Sequence, residues 1–391
     1  MDLSTTTSPN VANAVETVVS HLHPTPSWDI ADHPMPKGLE ELWRFTPVKQ
    51  IRALLLEGDE LPGLTWESDL PDGVEFTTEP KERIRELVIE PPVDRVAAIA
   101  AARTSKVAVL RVPAGMELPE AIVLTGTGNG EQAAETFLFE VGAGARATLV
   151  LQFRGSGSYA CKYDIRVGDG AEINLVNVND WDSDAIHAGQ LTVEVGRDAR
   201  IRTVQASLGG NVIRLVERAT YTAPGGELEQ FGLYFVESGQ HVEHRLFVDH
   251  NMPKTRSNVD YRGALQGEGA HSVWIGDVLI RKVAEGIDTY EANKNLVLTD
   301  GCRADSVPNL EIETGEIEGA GHSSTTGRFD DLQLFYLRSR GIPEAEARRL
   351  VVHGFFNDII RRIGVPEVEE RLLAQVEKEL DMAAEAMRAA Q

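Results

Sequence analysis

The sequence predicts a mainly β protein: a parallel β-helix core flanked by helical N-terminal and C-terminal regions. Three observations carry this. A Gly-containing turn recurs from Val112, Val141, Val167, Val195 and Ala223, in steps of 29, 26, 28 and 28 residues, and a fixed period of this length marks a repeat architecture. Runs of alternating apolar and polar residues, such as Glu172–Val178 and Gln190–Val195, fill the gaps and read as half-buried strands. No helical pattern of ten or more residues interrupts 136–312, which argues against βαβ units. A propeller blade needs about 40–45 residues, too long for this period. One solenoid coil of two or three short strands fits better. Looser copies of the turn are read at Leu265–Ala270 and Leu298–Arg303.

Before this core, residues 1–106 read as a mostly helical region, with helices expected over Val11–Leu22 and Gly38–Leu56. The β-helix is expected over 107–318 and a helical domain over 319–391. In that last part Phe329, Leu332, Leu334, Phe335 and Leu337 share a helical spacing closed by Arg340 and Gly341. Pro343 opens a second helix, ended by Gly364, and Pro366 sits in the first turn of a third. In the third, Val368, Leu372, Val376, Leu380 and Ala384 form an apolar stripe that must face either the β-core or a partner.

Composition narrows the function. With 38 basic against 61 acidic residues the chain carries −23 at pH 7, which disfavours nucleic acid and anionic membranes as partners. No run of 18 apolar residues exists, and Met1–Ser20 lacks the basic and apolar segments of a secretion signal, so a soluble cytoplasmic protein is expected. Cys161 and Cys302 are too few for a disulfide framework and sit in no metal-binding cluster.

No phosphate loop, nucleophile elbow, HExxH helix or dinucleotide fingerprint is present, so no ATP site is expected. Thr125–Gly130 reads as a surface turn. The pair Asp249 and Asp260, or Asp180, Asp182 and Asp184, could serve a β-helix carbohydrate enzyme, but abundant acidic residues make chance proximity the better account. His241 and His244 lie three apart on opposite strand faces and form no chelating pair. His353 falls within a helix. Cys161 reads as a buried small hydrophobe, and Cys302 lies in a repeat turn with only Arg303 as a cationic neighbour. His322 differs: it lies among small residues, Gly319–Gly327, where the β pattern is expected to stop, so its ring can face a partner or metal.

Several stretches resemble the SufB/SufD family of iron–sulfur cluster assembly scaffolds. They are Glu41–Pro47, His250–Ser257, Tyr261–Leu265, Ala304–Ile312, His322–Gly327, Leu334–Ile342 and Gly354–Phe356. The His322–Gly327 run and the shortage of cysteine resemble the SufD branch rather than SufB. The resemblance implies a right-handed β-helix, a heterodimer with SufB through the β-helix, and docking of the ABC-type ATPase SufC on the C-terminal helices. It further implies a non-catalytic scaffold carrying a transient iron–sulfur cluster or iron shared with SufB, with FAD binding by the complex left open. His322 matches the family's interface histidine. Many bacterial SufD chains place a cysteine two residues before it, whereas this chain has Ala320, so ligation from this side would rest on imidazole alone. A carbohydrate-active enzyme, a SufB-like paralogue and a plain structural solenoid are the alternatives.

Overall fold

The structure is a computed structural model describing residues 25–328, 331–362 and 366–389; the helix expected over Val11–Leu22 lies outside them. Ahead of the core come β1 (Thr65–Asp69), β2 (Glu75–Pro80), the one-turn α1 (Ile84–Leu87) and α2 (Arg95–Arg103). β3 (Lys106–Val112) and the long strands β4 (Ile122–Val141) and β5 (Arg146–Val167) begin a parallel β-solenoid. Each later coil contributes two strands: β6 (Glu172–Trp181) and β7 (Ile186–Val195), then β8 (Arg200–Ser207) and β9 (Val212–Tyr221). β10 (Glu227–Val236) and β11 (His241–His250) follow, then β12 (Arg256–Leu265) and β13 (His271–Ile280). β14 (Asp288–Val297), β15 (Arg303–Ile312) and β16 (Gly319–Arg328) complete it. The even-numbered strands from β6 to β16 stack in register on the first half of β5, and the odd-numbered strands from β7 to β15 on its second half.

The turn repeat has a direct physical cause. Gly115, Gly144, Gly170, Asp198, Gly225, Lys254 and Gly286 occupy one corner of successive coils, all with positive φ. Their amides reach the next coil: Gly115 N donates to Ala143 O at 2.8 Å and Gly144 N to Asp169 O at 2.9 Å. The looser copies at Leu265 and Leu298 belong to the opposite corner, between even and odd strands. The true continuations are the turns holding Lys254 and Gly286.

Alternation sorts the side chains. One set fills the interior, including Phe137, Phe153, Tyr163, Tyr234, Tyr261 and Trp274. Outward residues of the even sheet (Val176, Val204, Phe231, Leu233, Phe235) form a second apolar cluster with α3 (Asp331–Ser339), α4 (Glu344–Arg361) and α5 (Pro366–Ala389). Leu372, Val376 and Leu380 are buried there, so the α5 stripe faces the β-core. On the odd sheet, Trp43, Ile51, Leu54 and Leu55 cover Ala160, Ala188 and Val212.

Three expectations need correction. The region before the core is not mostly helical: Gly38–Leu56 is a run of turns ending in a 3-10 turn, Arg52–Leu55, and β1 and β2 are strands. Pro47 lacks an N–H and disfavours a helical Thr46, so i→i+3 bonds such as Thr46 N to Trp43 O replace a helix. The solenoid also runs past 318 to Arg328, because the small residues of β16 pair with β14 along its whole length. Finally, Thr125–Gly130 lies inside β4, where Gly128 packs against the Ser156 backbone in β5 and a bulge falls between Asn129 and Gln132.

Candidate functional site at the open end of the solenoid

β15 and β16 are the last strands of the two sheets, and among the described residues neither has a second strand neighbour. Edge strands are normally shielded by Lys, Pro or bulges. β16, Gly-Ala-Gly-His-Ser-Ser-Thr-Thr-Gly-Arg, carries none of these, and its only charge is the terminal Arg328. His322 is therefore on the final strand, not beyond it as the sequence suggested.

The register sets where His322 points. It pairs with Glu291 of β14, which is inward: Tyr290 beside it is exposed, while a methyl group on Gly276 of the opposite sheet would collide with the Glu291 carboxylate and the Trp274 ring. His322 thus caps the interior, with its side chain 41% exposed above a Glu291 that is 2% exposed. Its Nδ1 lies 3.8 Å from Glu291 Oε1, which has no hydrogen-bond partner. Burial, reinforced by the Asp277 carboxylate, pushes the Glu291 carboxyl up to about 8. At neutral pH the group beneath His322 is largely the uncharged acid. Trp274 Nε1 and Ser306 Oγ, also buried, have no hydrogen-bond partner. The solenoid therefore ends in a polar mouth.

Asp249 and Asp260 are not brought together, whereas Asp182 and Asp184 meet at one hydroxyl. Asp249 binds Arg281 with both oxygens at 2.7 Å on the odd sheet, whereas Asp260 meets Arg262 and Arg362 on the even sheet. Asp180 accepts from Gln375 at 2.6 Å, and Asp182 and Asp184 accept from Ser156. Cys161 is buried 3.2 Å from His187 Nε2, and burial raises its thiol above the ordinary range. Half-buried Cys302 donates to Gly267 O. His353 lies on α4, 3.7 Å from Glu377. His241 and His244 do face opposite sides: His241 meets Glu243, and His244 lies inside with Ser207.

Comparison with known proteins decides the family. Residues 123–355, from β4 into α4, match the family model described as SUF system FeS cluster assembly, SufBD core domain. An iron–sulfur cluster assembly SufBD family protein of Mycobacterium tuberculosis (strain H37Rv) is 45% identical over 390 residues, covering 96% of this chain and 97% of its own. The chain belongs to the SufBD family. A SufBD family protein of Mycobacterium leprae is 44% identical over 367 residues, covering 90% of this chain and 93% of the relative. The iron–sulfur cluster assembly protein SufD of Escherichia coli is 22% identical over 245 residues, covering 62% and 57% respectively. The SufBD match includes the open end and His322. Among the described residues no helix is long and apolar enough to cross a membrane.

Proposed function

We propose that this SufBD protein is a SufD-like, non-catalytic scaffold subunit that works in the cytoplasm with SufB and the ATPase SufC to assemble iron–sulfur clusters. The observation that carries the reading is the inward-facing His322 on an unshielded terminal strand. Free edges of β15 and β16 offer backbone donors and acceptors to a second solenoid, by the strand addition that edge strands support. Joining two solenoids at this mouth would enclose His322 between chains. An imidazole nitrogen there, with thiolates from SufB, can hold iron or a forming cluster as cargo. The neutral Glu291 acid adds no charge beneath it, leaving thiolates to set the charge of the site.

The helical end supplies the second contact. Leu332, Phe335 and Tyr336 of α3 are 75%, 70% and 57% exposed, an apolar face left over after α4 and α5 cover the even sheet. Docking of SufC there would couple nucleotide-driven motion to the joint between the solenoids.

The test is co-expression of the tagged chain with SufB and SufC, followed by pull-down. Both partners should co-purify, and charge substitution on β16 (Ser324→Glu with Thr326→Glu) should release SufB. Retention of SufB by that variant, or failure of either partner to bind the wild type, contradicts the assignment.

A further inference from the structure

The outer face of the odd sheet holds a second histidine site, on the other sheet from His322. His241 of β11 and His271 of β13 are register partners, so one stacks directly on the other. Their Nδ1 atoms face each other at 3.1 Å. Each ring turns its other nitrogen to a carboxylate: His241 Nε2 lies 3.3 Å from Glu243 Oε2, and His271 Nε2 lies 2.7 Å from Asp305 Oδ2. Both carboxylates are held from behind. Glu243 accepts from Thr46 Oγ1 at 2.8 Å and Arg245 at 3.2 Å, with Arg214 Nε at 3.5 Å, and Asp305 meets Arg303 at 2.7 Å.

An ionised carboxylate can only accept, so each ring can donate its Nε2–H to its acid. Both Nδ1 atoms are then left on one side facing each other at 3.1 Å, an arrangement that needs either a shared proton or a metal ion beside the pair. Nδ1 as the free ligand atom with Nε2–H donated to a carboxylate is the pattern of a metal-binding histidine, here present twice. The separation fits as well. With metal–nitrogen bonds of about 2.05 Å, a 3.1 Å gap subtends roughly 98° at the ion, within the range of tetrahedral and octahedral sites.

We propose that His241 and His271 bind one divalent first-row transition-metal ion through their Nδ1 atoms. Imidazole pairs suit zinc, iron(II), cobalt or nickel rather than magnesium or calcium. Among the described residues no third His, Cys, Asp or Glu completes the set, so solvent fills the remaining positions. Entry is from the His271 side, whose side chain is 20% exposed against 6% for His241. A site of this kind holds an exchangeable ion.

The test is calorimetric titration of the full-length, EDTA-stripped chain with zinc(II) alone, and cobalt(II) absorption as a second readout. One zinc should bind per chain with ligand-field bands in the cobalt form. His271→Gln should weaken binding at least tenfold, and Asp305→Asn, which removes only the ring's acceptor, by roughly tenfold. His353→Ala should bind as wild type. If His271→Gln loses its fold by circular dichroism, Asp305→Asn carries the test. Absence of saturable zinc binding, equal binding by the Asp305→Asn and wild-type chains, or a loss that follows His353 instead, overturns the proposal. So does nitrogen-15 spectroscopy showing one proton shared by the two rings and no response to zinc.

Discussion

His322 Nδ1 stands 3.8 Å from Glu291 Oε1, one strand above it on the last strand of the even sheet. The contact joins the most exposed inward ring of the mouth to a buried acid with no other partner for that oxygen. It makes the end of the solenoid a polar surface.

The corner turns give a stability prediction. Lys254 is exposed and holds φ at 57°, at a corner where five of the seven coils use glycine. Left-handed backbone costs a side-chain-bearing residue about 1–2 kcal/mol, partly offset by the greater unfolded-state freedom of glycine. Lys254→Gly should therefore raise stability by about 0.5–1 kcal/mol, read as a higher urea midpoint with unchanged slope. A lower midpoint would show that the corner is not strained.

Glu135 gives a pH prediction. Burial raises its carboxyl to about 7, against the opposing hydrogen bonds from Trp66 and Tyr159. The folded state then binds a proton more tightly than the unfolded state, whose carboxyl titrates near 4.5. Stability is full below the unfolded value and is lost as pH rises through 7. Glu135→Gln should remove part of that loss, on the order of 2 kcal/mol after allowing for the partial exposure of the group. Parallel stability curves for the two chains from pH 5 to 8.5 would contradict this.

Much of this was legible in the sequence, for identifiable reasons. The corner glycines must recur because the turn demands positive φ, so the period announced the solenoid. The same logic misled at Leu265 and Leu298, since the opposite corner also uses Gly and sequence spacing does not say which corner a turn occupies. Pro47 was visible, yet the apolar residues around it suggested a helix; they pack on the odd sheet as consecutive turns instead. His322 was found from its small neighbours, but its inward aim needed the register with Glu291. The pairing of His241 with His271 lies 30 residues apart across a parallel ladder, so only the register reveals it.

The C-terminal helices carry a prediction that depends on where they pack. Removing them would uncover Phe231, Leu233 and Phe235, so deletion of 330–391 would damage the β-core as well as any docking site. Phe335 is the cleaner probe because it is 70% exposed. Phe335→Asp should change stability by less than about 0.5 kcal/mol while abolishing SufC pull-down. Full SufC retention would place the ATPase contact elsewhere.

The central claim is that His322 is the chain's contribution to a cluster-holding joint. It is tested most directly by iron and acid-labile sulfide content of anaerobically purified complexes with SufB and SufC. His322→Ala should leave the complex assembled and its ATPase active but sharply reduce both, while His353→Ala, on the surface of α4, matches wild type. Wild-type iron and sulfide in the His322→Ala complex would contradict the claim.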